Sequence, residues 1–129
     1  METVLSLDGT TIAFDRSGRG PALVLIVGAL CDRSSTESLA AGLDPRFTVY
    51  EYDRRGRGDS DENGPYSIER EVEDLATLIE AAGGSAFVFG HSSGAALALE
   101  AAARGIPMHG LVVYEPPYVE GRRPSWRPG

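Results

Sequence analysis

The sequence predicts an α/β fold: a mostly parallel sheet with flanking helices, entered through an antiparallel hairpin. Three observations carry that expectation. Short apolar, strand-like runs alternate with segments of helical periodicity, the pattern that lays parallel strands side by side with crossover helices between them. The run Ala22-Leu23-Val24-Leu25-Ile26-Val27 contains nothing polar, as a central strand covered on both faces requires. Gly90-His91-Ser92-Ser93-Gly94, a G-x-S-x-G, stands between an apolar strand-like run and an Ala/Leu-rich helical one.

Taken in order, residues 4–7 and 11–14 flank Asp8-Gly9, a two-residue hairpin signal. A Ser/Gly/Pro loop over 17–21 leads into the apolar strand at 22–27. Ser34 followed by Glu37 has the spacing of a capping box, opening a short helix that Gly42 should end. Residues 47–50 read as the next strand. Ile68, Val72, Leu75, Ile79 and Ala82 then recur at helical spacing, a core-facing stripe stopped by Gly83-Gly84. Residues 86–89 form the strand before the G-x-S-x-G, and 95–104 the helix after it, ended by Gly105 and Pro107. Residues 111–114 are a last strand. From 116 to 129 the chain is rich in Pro and Arg and lacks periodicity, so it reads as an extended tail on a domain spanning 1–115.

Composition narrows the possibilities. At 129 residues the chain is a single domain at most, and 42% hydrophobic content supports a packed core over disorder. A formal net charge of −7 argues against nucleic acid as a partner, which would call for a basic face. The one cysteine, Cys31, excludes an intrachain disulfide and suits a reducing compartment. No apolar run is long enough to span a bilayer, and the first residues lack the layout of a signal peptide, so the expected location is the cytoplasm, with no membrane partner. No cluster of His, Cys or carboxylates stands at metal-ligand spacing, Ser92 occupies a position where a dinucleotide fingerprint needs Gly, and a P-loop is absent; no metal or cofactor is expected.

The G-x-S-x-G has a mechanical reading. A strand, a tight turn with glycines at Gly90 and Gly94, and a helix form a nucleophile elbow, which holds the Ser92 hydroxyl at the end of the sheet beside the positive end of a helix. A Cβ at either glycine would crowd the turn.

Three motifs together resemble the N-terminal half of the α/β-hydrolase superfamily, ending after its sixth strand. They are Val27-Gly28-Ala29 after the third strand, Tyr52-Asp53-Arg54-Arg55-Gly56-Arg57-Gly58-Asp59-Ser60 after the fourth, similar to the family's D-x-R-G-x-G-x-S loop, and the elbow after the fifth. The resemblance implies Ser92 as the nucleophile, with an oxyanion hole made by the backbone N–H groups of Ala29 and Ser93. It implies an esterase-like serine hydrolase whose partner is a small-molecule acyl substrate.

The chain also departs from that pattern. A serine hydroxyl needs a base, usually His oriented by a carboxylate. The chain has two histidines. His91 directly precedes Ser92 and cannot easily turn back onto it, and His109 opens the last strand, at the end of the sheet away from the elbow. Glu115, just past that strand, stands where some family members place their acid; equally, Glu115-Pro116-Pro117 is a strand-ending turn, the reading favoured here because no histidine is available to orient. Sequence alone therefore leaves open whether this chain is an enzyme by itself. The alternative is a non-catalytic α/β-hydrolase-like interaction or fragment domain that needs a partner half, through self-association or a complementing C-terminal segment. Arg54, Arg55 and Arg57 are interspersed with Asp53, Asp59, Asp61 and Glu62, which reads as a local salt-bridged turn.

Overall fold

The computed structural model describes residues 1–28, 40, 42–43 and 46–114. Its centre is β3 (Ala22–Ile26), which has β4 (Thr48–Tyr52) parallel on one side and β5 (Ala86–His91) parallel on the other. Alternate side chains of β3 enter two different cores, which explains why the strand carries no polar residue. Val24 and Ile26 pack with Leu75, Leu78, Ile79 and Leu97. Leu23 and Leu25 pack on the opposite face with Val49, Phe47, Phe87 and Phe89. That second face is open enough to leave an apolar cavity of about 410 Å³, bounded by Leu23, Phe47, Phe87, Phe89 and Val112.

From this centre the sheet grows outward. β2 (Thr11–Gly18) runs antiparallel to β4, β1 (Glu2–Leu5) runs antiparallel to β2, and β6 (Met108–Tyr114) is parallel to β5. The order is β1-β2-β4-β3-β5-β6. This is the mostly parallel sheet with an antiparallel start that the sequence predicts. β3, β4, β5 and β6 share one direction, so the segments leaving them, at Gly28, Asp53, Ser92 and after Tyr114, all emerge at the same end of the sheet.

Two helices cover one face. α1 (Ile68–Ala81) starts at Ser67, whose hydroxyl accepts the Arg70 N–H, and buries Val72, Leu75, Leu78 and Ile79. Gly83 and Gly84, at φ 115° and 98°, end it with backbone that other residues rarely adopt. α2 (Ser93–Ala103) buries Leu97 together with Gly94, Ala95, Ala98 and Ala101, whose small size lets it lie close on the sheet.

The structure differs from the sequence reading in a few places. β1 ends at Leu5, and residues 6–10 form a wider connection instead of a two-residue turn. Ser6 N–H donates to Thr10 O (2.9 Å), Gly9 N–H to Ser6 O (2.9 Å), and Thr10 N–H to the Asp8 carboxylate (3.0 Å). Gly42 does not end its helix, because Gly42 and Leu43 are both helical. β6 begins at Met108, three residues before the expected start at 111. The proposed capping box at Ser34 and Glu37, and the tail over 116–129, lie outside the described residues.

Candidate functional site

Ser92 is the one non-glycine residue with positive φ among the described residues, at φ 57° and ψ −122°. Backbone in such a region costs on the order of 1–3 kcal/mol and persists only where the surroundings fix it. Here they do. Ser92 N–H donates to Tyr114 O (3.0 Å), which ties the turn to the end of β6. Its carbonyl accepts the N–H groups of Ala95 (2.9 Å) and Ala96 (3.3 Å), making it the N-cap of α2.

The glycines around it are sterically required. A Cβ on Gly90 would sit 2.6 Å from Gly94 O and 2.8 Å from Ala95 Cα. One on Gly94 would run into the Ile26 carbonyl oxygen and lie 2.7 Å from Val27 O. Both elbow glycines therefore sit where helix, turn and neighbouring strand touch. Gly28 faces the same spot from β3: a Cβ there would lie 3.5 Å from Ser92 Cβ and 3.9 Å from its Oγ. The Ser92 hydroxyl thus lies between the end of β3 and the start of α2. The first-turn amides of a helix have no intrahelical acceptor and carry its positive partial charge.

Behind this turn is a buried ionic layer that the sequence reading placed wrongly. Arg54 and Arg55 do not pair within their own loop. Arg54 Nε and Nη2 donate to the two oxygens of Glu71 (2.7 and 2.6 Å), while its Nη1 donates to Val27 O (3.0 Å) and to Ser93 Oγ (2.9 Å). Arg55 grips Asp74 in the same bidentate way (2.7 Å twice) and reaches Asp8 (3.0 Å). All four members of the two helix-anchored pairs are buried. The difference has a physical reason: Asp59, Asp61 and Glu62 are exposed and offer weak, screened pairing, whereas buried guanidinium groups need full, planar partners. Glu71 and Asp74 adjoin the stripe of Val72, Leu75 and Leu78 on α1, and that placement of carboxylates beside core positions is the sequence signal that could have found them.

Burial alone would push the Glu71 carboxyl up, but the hydrogen bonds and charge of Arg54, with the Tyr66 hydroxyl (2.6 Å), outweigh it and hold Glu71 below the usual carboxylate range. Burial and the hydrogen bond to Glu71 push the Tyr66 phenol up to about 12. The side-chain hydrogen bond from Arg55 is the main reason that Asp8 is held far below its ordinary value.

Both histidines pack on aromatic rings of the sheet. His91 is exposed and stacks on Tyr114, ring centroids 5.7 Å apart at 24°. His109 packs on Phe87 (5.4 Å) near the far end of β6, five residues from Tyr114, or about 16 Å along an extended strand. Ala29, Cys31 and Glu115 lie outside the described residues. Among the described residues no group of three or more His, Cys, Asp or Glu is arranged to hold a metal ion. No described helix is long and apolar enough to cross a membrane.

Residues 23–129 match the family model described as "Alpha/beta hydrolase family". The chain belongs to that family. An alpha/beta hydrolase from Sphaerobacter thermophilus superposes with a TM-score of 0.91 at 60% identity, over 95% of this chain and 48% of that one. N-formylmaleamate deformylase from Pseudomonas putida is 35% identical over 78% of this chain and 39% of its own length. A 2-(acetamidomethylene)succinate hydrolase from Mesorhizobium japonicum is 36% identical over 73% of this chain and 34% of its own. This chain therefore spans half or less of the length of each of these proteins. The fold is that of an alpha/beta hydrolase, and the relatives named above carry hydrolase or deformylase names.

Proposed function

We propose that this chain carries the nucleophile and oxyanion side of an esterase-like serine hydrolase acting on an ester or related acyl bond. The observation that carries the reading is the backbone of Ser92, strained at positive φ and held there by Tyr114, Gly90 and Gly94. Strain retained against its cost is a pointer to function. In this reading Ser92 Oγ attacks the acyl carbon and gives up its proton to a base. The carbonyl oxygen, now anionic, is stabilised by the N–H of Ser93 and that of Ala29. The leaving group departs with a proton, and water then releases the acyl group from Ser92. The substrates named for two relatives, N-formylmaleamate and 2-(acetamidomethylene)succinate, each carry an acyl group on nitrogen, so N-acyl compounds belong in the class to be tried.

A second reading has an observation in its favour. Neither His91 nor His109 is placed to take the Ser92 proton, which fits an interaction domain that keeps the elbow as a structural turn and meets a partner half through self-association or a complementing segment. Glu115 remains the candidate acid only within the first reading. Treating the chain with an alkyl fluorophosphonate and mapping the adduct by peptide mass spectrometry separates the two. The hydrolase reading expects a covalent adduct on Ser92 that Ser92→Ala abolishes; an unmodified Ser92 beside equally reactive surface serines would favour the interaction domain.

A further inference from the structure

One guanidinium nitrogen joins the two segments that meet at Ser92. Nη1 of Arg54 donates to the Val27 carbonyl (3.0 Å) and to Ser93 Oγ (2.9 Å). Val27 lies at the end of β3, directly before the Gly28 that faces Ser92; Ser93 opens α2 directly after Ser92. The remaining nitrogens, Nε and Nη2, are fixed on the Glu71 carboxylate at 2.7 and 2.6 Å. Glu71 Oε2 is itself held by the Tyr66 hydroxyl at 2.6 Å. A planar fork clamped on one side has little freedom on the other, so Nη1 is aimed at the turn by a rigid helix. Lysine, a flexible point charge, could not hold Glu71 in bidentate fashion and bridge Val27 to Ser93 as well.

We propose that Arg54 is a positioning residue for the hydrolytic site: held by Glu71 and Tyr66, it sets the spacing between the Gly28 end of β3 and the Ser93 end of α2. It thereby fixes where the Ser93 N–H points at a developing oxyanion. This rests on the reading of Ser92 as nucleophile and goes beyond it in giving the Ser93 side chain a task. An oxyanion donor needs only the backbone N–H of that residue, and the Ser93 hydroxyl serves instead as the acceptor by which Arg54 grips the helix end. Small displacements of such a donor are expensive in rate, because the donor acts only when aimed at the place where charge develops.

The test uses the 129-residue chain and a Ser93→Ala, Ser93→Thr pair, which removes or keeps the hydroxyl while leaving the Arg54–Glu71 pair intact. Two quantities are read: the rate at which a fluorophosphonate modifies Ser92, followed by intact mass, and microsecond-to-millisecond exchange of the Gly28 and Ser93 amides by ¹⁵N relaxation dispersion. Ser93→Ala should slow modification roughly 10-fold, less than the loss of a donor outright, at an unchanged melting temperature. It should also bring exchange broadening to both amides, and Ser93→Thr should restore both readouts. Arg54→Lys should behave like Ser93→Ala where it folds. Modification at the unaltered rate in Ser93→Ala, or amides as well ordered as in the unmodified chain, overturns the proposal. Should the unmodified chain leave Ser92 untouched, the nucleophile reading fails, and the amide dynamics alone decide whether Arg54 positions the turn.

Discussion

Ser92 holds its positive φ because its neighbours leave no alternative: Tyr114 takes its N–H, the first turn of α2 takes its carbonyl, and Gly90 and Gly94 remove the atoms that would push the turn open. Gly94 is sensitive to substitution, since an added Cβ meets the backbone carbonyls of Ile26 and Val27, which cannot swing aside as a side chain could. Gly94→Val should therefore cost a few kcal/mol of folding stability on the order of other overpacked or strained sites, read as a lower urea midpoint at constant slope. An unshifted midpoint would mean that β3 and α2 do not approach as described. At this scale the sequence was informative where a residue's role is local. The two elbow glycines and Ser92 could be named from a five-residue pattern in its strand–helix setting. Gly28's approach to Ser92 and the grip of Arg54 on Ser93 could not, because each depends on which strands end up adjacent. Ala29 and Glu115 stay with the sequence-based reading.

α1 does two jobs with one surface. Its apolar stripe packs on the sheet, and beside that stripe Glu71 and Asp74 anchor the two arginines of the loop after β4. The strands were legible because apolar runs of the right length have few alternatives, and the stripe of α1 was legible because its period is 3.6. The pairing was not, since a charge beside a core position reads as surface until a partner is known. Asp74→Ala leaves the Arg55 guanidinium, fully buried at its side chain, without its bidentate partner, and should cost about 3–5 kcal/mol in chemical denaturation. A change near zero would show that Asp8 or water compensates. Glu71 adds a pH dependence. Its folded value is below the ordinary one, so its contribution is complete above its unfolded value and is lost as pH falls through the lower, folded one. Stability should thus fall on acidification from about pH 5 downward, where an unperturbed Glu begins to bind protons, and Glu71→Gln should flatten that part of the profile. An identical acid limb in Glu71→Gln would remove Glu71 from the account.

For the molecule as a whole, the alternation of strands and helices predicted the sheet, and the observed order β1-β2-β4-β3-β5-β6 brings the ends of β3, β5 and β6 together around Ser92. Strand order itself could be given only through resemblance, since no local pattern states which strands become neighbours. β6 pairs with β5 on one side, no described strand pairs with its other side, and Val112 and Tyr114 are exposed on it. Open apolar strands of this kind template pairing. The 129-residue chain is therefore expected to self-associate in sedimentation experiments, and Val112→Lys to shift it toward monomer; a monodisperse monomer unaffected by that change would contradict this. On the proposed reading Ser92 is a reactive nucleophile, while the rings of His91 and His109 are packed on Tyr114 and Phe87. That reading is tested most directly by following p-nitrophenyl acetate with the 129-residue chain and with Ser92→Ala, measuring both released nitrophenolate and protein mass. Slow, at most stoichiometric acetylation of Ser92 is expected, with steady hydrolysis little faster than buffer. Sustained turnover at ordinary esterase rates that Ser92→Ala abolishes, or acetylation that spares Ser92, would contradict it.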